Sequence, residues 1–552
     1  MIKFIKKNSL ISNFNKLNEK IFKSDHKKNN GIVLVEFNAF QNLHTNLSYL
    51  SNYFSNYFSA KIFAYYNYSL VSSPLKQSFL NKVKRTLGIF LNIKTYSIYK
   101  SFNVEKFVYA NFSSQIKDKA EFKFKEIKKN LLENEDILNI EIENIKLGTL
   151  IYDGYKIYNK TPYIELDNES FDLFLKDFIE LFYFWYNFFK NENVKCIVGC
   201  HAVYAYGIPM RIAISFNIPT FAVEDGLVFS LTKTNLYQNA EFKYYKKIFS
   251  HFTENQKLKA RKLALKLLQN RFDGKVGIDI KESRIPVSSF ANEFNKNDKI
   301  FKNNGKLNVV IFTHEINDAA NGNGKGLYPD YYEWLKEIIN LSKKTDYNWY
   351  VKDHPNYHGK FTPGQKRTVT TTKELIKTNP EIIYLPSSTS HHQIINEKVD
   401  FVMTVNSDIT YEYAYHNIPV LTGSKNCPTY DYDFNIHSSS KKEFEDKVKN
   451  LKNIKIDIDR NQVLEFYFMA SVYRSHDMFT NYAFSDFLKK NENWEALFSD
   501  KIYDFFVRNW NEVNHKKKLK CIENFFKSGN YYLDYKHAEI TIDQLIDIEN
   551  LQ

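Results

Sequence analysis

Short apolar runs recur along this chain, and helical stretches separate them. In the first half these runs are Gly31–Glu36, Ala60–Tyr65, Lys106–Tyr109, Cys196–Cys200 and Ile218–Val223. Strands that alternate with helices form parallel sheets with helices on both faces. The pattern therefore predicts an α/β fold whose first domain is a doubly wound, Rossmann-like sheet.

A second series of the same kind follows a polar stretch without periodicity between about 272 and 307. Its apolar runs are Leu307–Phe312, Trp349–Lys352, Ile382–Leu385, Phe401–Val405 and Pro419–Leu421. A chain of 552 residues is too long for one core. We predict an N-terminal domain over 1–290, a second Rossmann-like domain over 291–465, and a helical segment over 466–552 that braces them.

The composition restricts the classes of protein to which this chain can belong. Hydrophobic residues make up 43% and aromatic residues 16%, which is typical of a globular chain. The net charge of +13 is spread over scattered lysines, and no nucleic-acid-binding signature occurs, so we expect no nucleic-acid partner. The four cysteines lack the spacing of metal ligands and are interpreted as buried thiols.

We expect a cytoplasmic protein, since the N-terminal sequence lacks the pattern of a signal peptide. The aromatic stretch Phe171–Phe189 contains charged residues and predicts a packed helix rather than a membrane span. The basic cluster Lys516–Lys520 has two interpretations. It is either a solvated helix face or a docking site for the anionic inner face of the membrane.

Two carboxylates and a glycine, Glu224-Asp225-Gly226, follow the run Ile218–Val223. Open α/β sheets bind ligands at the carboxyl ends of their strands. The tripeptide is therefore either a catalytic site or a turn in which Gly226 supplies a positive φ and the acids are solvated. His201 ends the preceding strand; it either packs structurally or shares the same cleft.

A histidine stands at a strand end in the second domain. His354-Pro355 follows the strand that ends at Lys352. An imidazole at the rim of a sheet can donate to a phosphate oxygen or protonate a leaving group, although a packing histidine also fits.

Short polar side chains follow the strand that begins at Phe401. Asn406, Ser407 and Thr410 open a predicted helix that runs to His416. Free N–H groups at a helix start can form an anion site. Glu412, one turn later, either accepts hydrogen bonds from a ribose or stabilises the helix dipole.

The loop Asn317–Gly326 occupies the position of a phosphate loop but fails the Walker pattern. It is either a flexible loop that covers a ligand, with Gly324 and Lys325 as secondary candidates, or an ordinary turn. Asp431-Tyr432-Asp433 lies in a predicted loop beyond the expected nucleotide site, and no motif requires a metal. We expect neither a metal nor a cofactor.

Three motifs together resemble a known group of enzymes. Glu224-Asp225-Gly226 with Ser230, His354-Pro355, and the segment Thr404–Thr410 are similar, in the same order, to motifs of bacterial capsule-polysaccharide transferases related to Kdo transferases and of bacterial sialyltransferases. The resemblance implies the GT-B fold, two Rossmann-like domains facing across a cleft, with the acceptor on the first and a cytidine-nucleotide sugar on the second.

The resemblance also implies roles for individual residues. Asp225 would be the catalytic carboxylate, His354 would contact the donor phosphate, and Ser407 would complete the phosphate site. The stretch Gly148–Asp153 is similar to one in surface-carbohydrate biosynthesis proteins, which makes Asp153 a secondary candidate. We expect Leu147–Gly154 to be extended and to end in a turn.

The predicted function is that of a metal-independent glycosyltransferase. It would transfer a Kdo- or sialic-acid-like sugar from a CMP-activated donor to a growing surface polysaccharide or a glycolipid. Asp225 would be the general base of an inverting reaction, or Asp225 or Glu224 the nucleophile of a retaining one. The alternatives are a CDP-alditol phosphotransferase of teichoic-acid type, a UDP-sugar 2-epimerase, and a non-catalytic assembly protein with a GT-B-like fold.

Overall fold

The computed structural model describes residues 9–23, 28–66, 79–224, 227–275, 290–294, 297–354, 363–474, 487 and 494–551. The chain divides into two compact units. Unit 1 comprises Met1–Tyr155, Glu165–Gln238 and His476–Thr541, and unit 2 comprises Lys156–Ile164, Asn239–Ser475 and Ile542–Gln552.

Unit 1 contains a six-stranded sheet of order β3-β2-β1-β6-β7-β8. Its strands are β1 (Ile32–Phe37), β2 (Lys61–Tyr66), β3 (Val104–Val108), β6 (Val194–Cys200), β7 (Thr220–Glu224) and β8 (Leu227–Leu231). The neighbouring strands are parallel except β7 and β8, which are antiparallel. A small antiparallel pair, β4 (Glu141–Ile142) and β5 (Ile145–Lys146), lies between β3 and β6 in the chain.

Unit 2 contains a parallel sheet of five strands in the order β11-β10-β9-β12-β13. The strands are β9 (Asn308–Phe312), β10 (Asn348–Lys352), β11 (Ile383–Leu385), β12 (Phe401–Thr404) and β13 (Val420–Thr422). In each sheet the strands that follow the first strand (β1 or β9) are added on one side of it, and the later strands are added on its other side. Each sheet therefore has a topological switch point, beside β1 and beside β9.

Helices surround the two sheets. They are α1 (Ser9–Ile21), α2 (His44–Phe58), α3 (Phe79–Phe90), α4 (Thr95–Ser101), α5 (Ser114–Asn130), α6 (Asn134–Ile137), α7 (Gly148–Asn159), α8 (Glu169–Asn191), α9 (Gly207–Ser215), α10 (Tyr245–Ser250), α11 (Glu254–Phe272), α12 (Tyr331–Ser342), α13 (Pro363–Lys377), α14 (His391–Asn396), α15 (Ile409–Tyr415), α16 (Lys441–Lys449), α17 (Arg460–Phe468), α18 (Lys501–Asn509), α19 (Glu512–Ser528) and α20 (Ile542–Leu551).

The strands of unit 2 are apolar on both faces because helices cover both faces. Val309 and Ile311 pack on one side with Trp334 of α12, while Val310 and Phe312 pack on the other. A fully buried Val, Ile or Phe side chain contributes roughly 1.5–3 kcal/mol. This alternation explains why the strands appear in the sequence as continuous apolar runs.

The predicted α/β class with two doubly wound, Rossmann-like sheets is confirmed. The predicted aromatic helix is also confirmed as α8, whose phenylalanines are largely buried. All four cysteines are buried thiols. No helix in the described ranges combines the length and apolarity needed to cross a bilayer.

The prediction for Leu147–Gly154 is wrong, because these residues lie in and next to helix α7. Two glycines and a threonine lower the helix propensity of this stretch, but tertiary packing overrides propensity. A Cβ at Gly148 would lie 2.3 Å from the carbonyl oxygen of Ile137. This glycine therefore serves close packing rather than a turn.

The two units divide the chain differently from the predicted ranges. Helix α11 was expected in the first domain but belongs to unit 2, where it packs against α17. The predicted C-terminal segment is helical over α18, α19 and α20, yet most of it belongs to unit 1. There Phe14 of α1 stacks on Tyr503 at 4.7 Å, and Tyr532 pairs with Phe229 at the edge of the sheet.

Candidate functional site

The carboxyl ends of three adjacent strands of unit 2 carry polar side chains. Thr313 and His314 follow β9, Asp353 and His354 follow β10, and Asn406 follows β12. These strands surround the switch point, where open α/β sheets bind ligands. The sequence motifs pointed to the ends of β10 and β12 but not to His314.

His314 lies at the centre of this edge. Its Nε2 is 3.1 Å from Oγ1 of Thr404, and it accepts the backbone N–H groups of Val405 and Asn406 at 3.3 and 3.4 Å. Its ring stacks on Tyr331 with centroids 4.5 Å apart. Because Nε2 accepts these bonds, the neutral ring carries its hydrogen on Nδ1.

Burial keeps both histidines of the edge neutral at pH 7. Burial lowers the pKa of His314 to about 3, and the nearby His354 acts in the same direction. Burial also lowers the pKa of His354 to about 4; Lys352 contributes, while Asp408 and Asp318 oppose the shift. A neutral imidazole can donate one hydrogen bond to a phosphate but brings no charge.

Ser407 joins the same polar chain. Its hydroxyl lies 2.9 Å from Oγ1 of Thr404, which in turn contacts His314. The Thr410 hydroxyl instead donates to the Ser407 carbonyl at 2.8 Å and is buried. The structure therefore brings Ser407 to the edge and gives Thr410 a local structural contact.

The predicted anion site at the start of helix α15 is not formed as expected. The N–H of Thr410 donates to the Ser407 carbonyl, and those of Tyr411 and Glu412 donate to the Asp408 carbonyl. These groups are no longer free, because they close the first turn of a seven-residue helix. The N–H groups of Val405 and Asn406, just upstream, are turned toward His314.

Glu412 is held below the edge by an arginine that is distant in sequence. Its carboxylate accepts the Nε–H of Arg271 at 2.5 Å, and Arg271 also pairs with Asp408 at 3.0 Å. The Glu412 side chain is 4% exposed. Nδ1 of His391 is 3.7 Å away, and burial lowers the pKa of this histidine well below its usual value. Glu412 is thus part of a buried network that supports α15.

Lys352 is fully buried beneath His354. Its ammonium lies 3.2 Å from the Ser387 carbonyl and 3.5 Å from that of Asp353. Burial lowers the pKa of Lys352 to about 8, against the opposing pull of Asp353 and Glu412. Lys352 therefore places a buried positive charge at the carboxyl end of β10. Asp353 accepts the Tyr384 hydroxyl, and burial raises the pKa of its carboxyl.

The loop after β9 is a series of turns. The N–H of Gly324, whose φ is 105°, donates to the Asn321 carbonyl, and the Lys325 carbonyl accepts the Asn426 side chain at 2.6 Å. These contacts bring neither Gly324 nor Lys325 to the histidines. Asn317, in contrast, is buried, and both polar atoms of its amide lack a hydrogen-bond partner among the described residues.

The carboxyl edge of the unit 1 sheet also carries polar groups. Glu224 ends β7, and its Oε2 accepts Nε2–H of Gln238 at 2.8 Å. The same Gln238 accepts the N–H of Ala202 at 2.8 Å, so one amide links the ends of β6 and β7. His201 lies between them with a φ of 52°, a left-handed conformation that concentrates at functional sites in non-glycine residues.

Glu36, at the end of β1, is a further candidate that the sequence-based argument missed. Its buried carboxylate accepts the Cys200 N–H at 2.6 Å and lies 3.1 Å from the Cys200 thiol. A Cβ at Gly199 would lie 2.9 Å from Oε2 of Glu36. The glycine thus allows this close approach. The signal was a charged residue at the end of an apolar run, the same signal that drew attention to Glu224.

Three further candidate site residues are Asp153, Asp225 and Pro355. Asp153 is buried within helix α7 rather than in an extended strand. Asp225 and Pro355, like Gly226, lie outside the described residues. Within the described part of the chain, no group of three or more His, Cys, Asp or Glu side chains is arranged to hold a metal ion.

Comparison with known proteins gives structural similarity alone. No protein-family model matches the chain, and no curated protein sequence matches it. Among solved structures, KpsC of Thermosulfurimonas dismutans, described as a beta Kdo 2,4 transferase, is 11% identical with a TM-score of 0.30, covering 51% of this chain and 80% of that one. The UDP-GlcNAc 2-epimerase of Neisseria meningitidis is 10% identical with a TM-score of 0.23, covering 79% of this chain and 97% of that one. The enzyme of the same name from Methanocaldococcus jannaschii is 11% identical with a TM-score of 0.23, again over 79% and 97%. Similarities at such TM-scores carry no functional assignment.

Proposed function

We propose that this protein is a glycosyltransferase that uses a CMP-activated, Kdo- or sialic-acid-like donor. The acceptor is a growing surface polysaccharide or a glycolipid. The donor binds at the carboxyl edge of the unit 2 sheet, and the acceptor binds at the carboxyl edge of the unit 1 sheet.

One observation carries this proposal. At the switch point of the unit 2 sheet, the polar chain Ser407–Thr404–His314 lies at the carboxyl ends of β9 and β12, and His354 follows the adjacent strand β10. Hydroxyl and imidazole groups are suitable donors to phosphate oxygens. The unpartnered amide of Asn317 adds a hydrogen-bonding group after the same strand as His314.

The donor phosphate would change the charge of His354. An anion within about 4–6 Å favours the protonated form of an imidazole. Binding of the phosphate therefore raises the pKa of His354 from its depressed value, and the resulting imidazolium stabilises the departing phosphate. The buried Lys352 ammonium opposes the protonation of His354 but itself attracts the phosphate.

The transfer step follows from the resemblance of the motifs. The acceptor hydroxyl oxygen bonds to the anomeric carbon while the bond between that carbon and the phosphate oxygen breaks, so that CMP leaves with the electron pair. In an inverting reaction Asp225 takes the hydroxyl proton. Glu224 supports this step from the end of β7, where Gln238 holds its carboxylate.

A thermal-shift screen tests the choice of donor. CMP-, CDP-, UDP- and GDP-linked sugars are compared, since a ligand at 100 times its Kd stabilises by about 2.7 kcal/mol. The largest shift with a CMP-sugar is the expected result. A response to CDP-alditols with phosphodiester formation, or consumption of a UDP-sugar without acceptor, would replace the proposal with a phosphotransferase or an epimerase. No response to any nucleotide would favour an assembly protein.

Asp225→Asn tests the role of the carboxylate. Transfer should fall about 10²–10⁴-fold if Asp225 is a general base, with donor affinity nearly unchanged. Glu224→Gln is the matched variant at the neighbouring position and should retain more activity. The reverse ranking would move the catalytic role to Glu224.

A further inference from the structure

Unit 1 contains a buried guanidinium that pairs with no carboxylate among the described residues. Arg211 lies on helix α9 and is 3% exposed. None of its three side-chain nitrogens has a hydrogen-bond partner among the described residues. Tyr237 lies against the guanidinium, with its ring centroid 4.6 Å from the guanidinium carbon.

A buried charge in this state is costly. Transfer of an ion from water is strongly unfavourable unless the ion is paired and hydrogen-bonded. Burial accordingly lowers the pKa of Arg211 from its usual value, and the Tyr237 side chain acts in the opposite direction. An arginine nevertheless remains charged at any ordinary pH.

The aromatic contact does not replace the missing partners. A cation over a ring gains about 2 kcal/mol when desolvated, but a single tyrosine cannot partner all five N–H donors of the guanidinium. These donors form a planar fork that matches a carboxylate or a phosphate. The guanidinium thus matches one particular chemistry, that of an oxyanion.

The position of Arg211 links it to the proposed acceptor edge. Tyr237 lies against the guanidinium, and the next residue, Gln238, holds the Glu224 carboxylate at 2.8 Å. Arg211 and Glu224 therefore contact two consecutive residues. An acceptor whose reacting hydroxyl lies near Glu224 would bring its neighbouring groups toward Arg211.

We propose that Arg211, with Tyr237, forms an oxyanion subsite that binds the carboxylate or phosphate of an acidic acceptor. This inference rests on the proposed function for its assignment to the acceptor, and it makes the acceptor an anionic glycan. The subsite stabilises the bound oxyanion by a two-point hydrogen-bonded ion pair, and the empty protein keeps the unpaired charge.

Binding of small probes tests the subsite without any transfer reaction. Inorganic phosphate and glucuronate are titrated by calorimetry, with glucose as the neutral control. The variants are Arg211→Met and the matched surface variant Arg508→Met, which removes the same charge from an exposed site in the same unit. All are made in the His354→Ala background, so that phosphate bound at the donor site does not contribute.

We expect at least one probe to bind, and Arg211→Met to weaken it about tenfold or more, as the loss of a charged hydrogen bond predicts. Arg508→Met should bind like the parent. A preference for glucuronate identifies a carboxylate acceptor, and a preference for phosphate identifies a phosphorylated one. Equal binding by the parent and Arg211→Met, or no binding of either probe, overturns the proposal.

The thermal stability of the Arg211 variants distinguishes a ligand-binding role of this residue from a structural one. Without ligand, Arg211→Met should keep or raise the midpoint of thermal unfolding, because it removes an unpaired buried charge. If Arg211→Met does not fold, Arg211→Lys is tested in its place. This variant keeps the positive charge but loses the planar set of N–H donors. Probe binding by Arg211→Lys equal to that of the wild type overturns the proposal. Probe binding that depends on Arg211 in a protein without nucleotide binding would refute the transferase and leave the subsite standing.

Discussion

Burial sets the charge of the side chains at the carboxyl edge of the second sheet. His314 and His354 are neutral at pH 7 because their pKa values are lowered to about 3 and about 4. The unfolded chain titrates near 6.5 instead. Between these values the unfolded state binds more protons than the folded state, so the free energy of unfolding decreases as the pH falls from 6.5 toward 4.

We predict that His314→Gln makes the free energy of unfolding less dependent on pH in this window. Urea denaturation at pH 7, 6 and 5 measures the effect. The exposed His251, in the same unit, provides the matched control His251→Gln. A His314→Gln slope equal to that of the wild type would contradict the burial of a neutral imidazole.

At the scale of helices and strands, much of the architecture follows from the sequence. The apolar runs predicted β1, β9 and their neighbours, because strands covered on both faces must be continuously apolar. Helix α7 was missed because its glycines and threonine mask a helix whose other residues are buried by packing. The partner of Glu412 was also beyond prediction, since Arg271 comes from a helix 141 residues away.

A buried ion pair within unit 2 joins the last turn of α7 to the start of α12. Lys156 and Asp330 are both buried, with side chains 1% and 0% exposed, and Asp330 also caps helix α12. We predict that Lys156→Met lowers the free energy of unfolding by about 3–5 kcal/mol, because it removes the cation from a buried carboxylate. Lys336→Met, which breaks the exposed pair with Glu333, should cost less than about 1 kcal/mol. Similar losses in both variants would contradict this reasoning.

The basic cluster on α19 is not uniformly exposed. Lys516, Lys517 and Lys520 are exposed, whereas Lys518 is buried with its ammonium 5.0 Å from the centroid of the Tyr49 ring. If this helix docks on an anionic membrane, the three exposed lysines carry the attraction, at about 1 kcal/mol each near the surface.

Changing these three lysines to Gln should reduce flotation with anionic liposomes and leave neutral liposomes unaffected. The attraction should weaken as salt is added. Lys518→Gln serves as the contrasting variant and is expected to lower thermal stability instead. Equal flotation of the wild type and the triple variant would identify a solvated helix face.

At the scale of the whole molecule, the chain builds its two units from interleaved segments. Unit 1 combines the N-terminal sheet with residues His476–Thr541, so neither unit is a continuous piece of sequence. The sequence suggested a boundary in a polar stretch, but a boundary of this kind depends on long-range contacts that local composition does not contain.

We predict that a chain truncated after Ser475 fails to fold its unit 1. The truncation removes the Tyr503 contact with Phe14 and the backbone bonds between β8 and residues 531–533. Limited proteolysis and circular dichroism of the truncated chain measure the outcome. Protease resistance of unit 1 equal to that of the full chain would refute the interleaved division.

Binding of the proposed nucleotide-sugar at the carboxyl edge of the unit 2 sheet depends on His354. Calorimetric titration of a CMP-sugar into the wild type, His354→Ala and the exposed control His251→Ala measures this dependence. We expect His354→Ala to lose about 1–3 kcal/mol of binding free energy, because one strong hydrogen bond to phosphate disappears, while the control binds like the wild type. Unchanged affinity in a folded His354→Ala variant would contradict the proposed donor site.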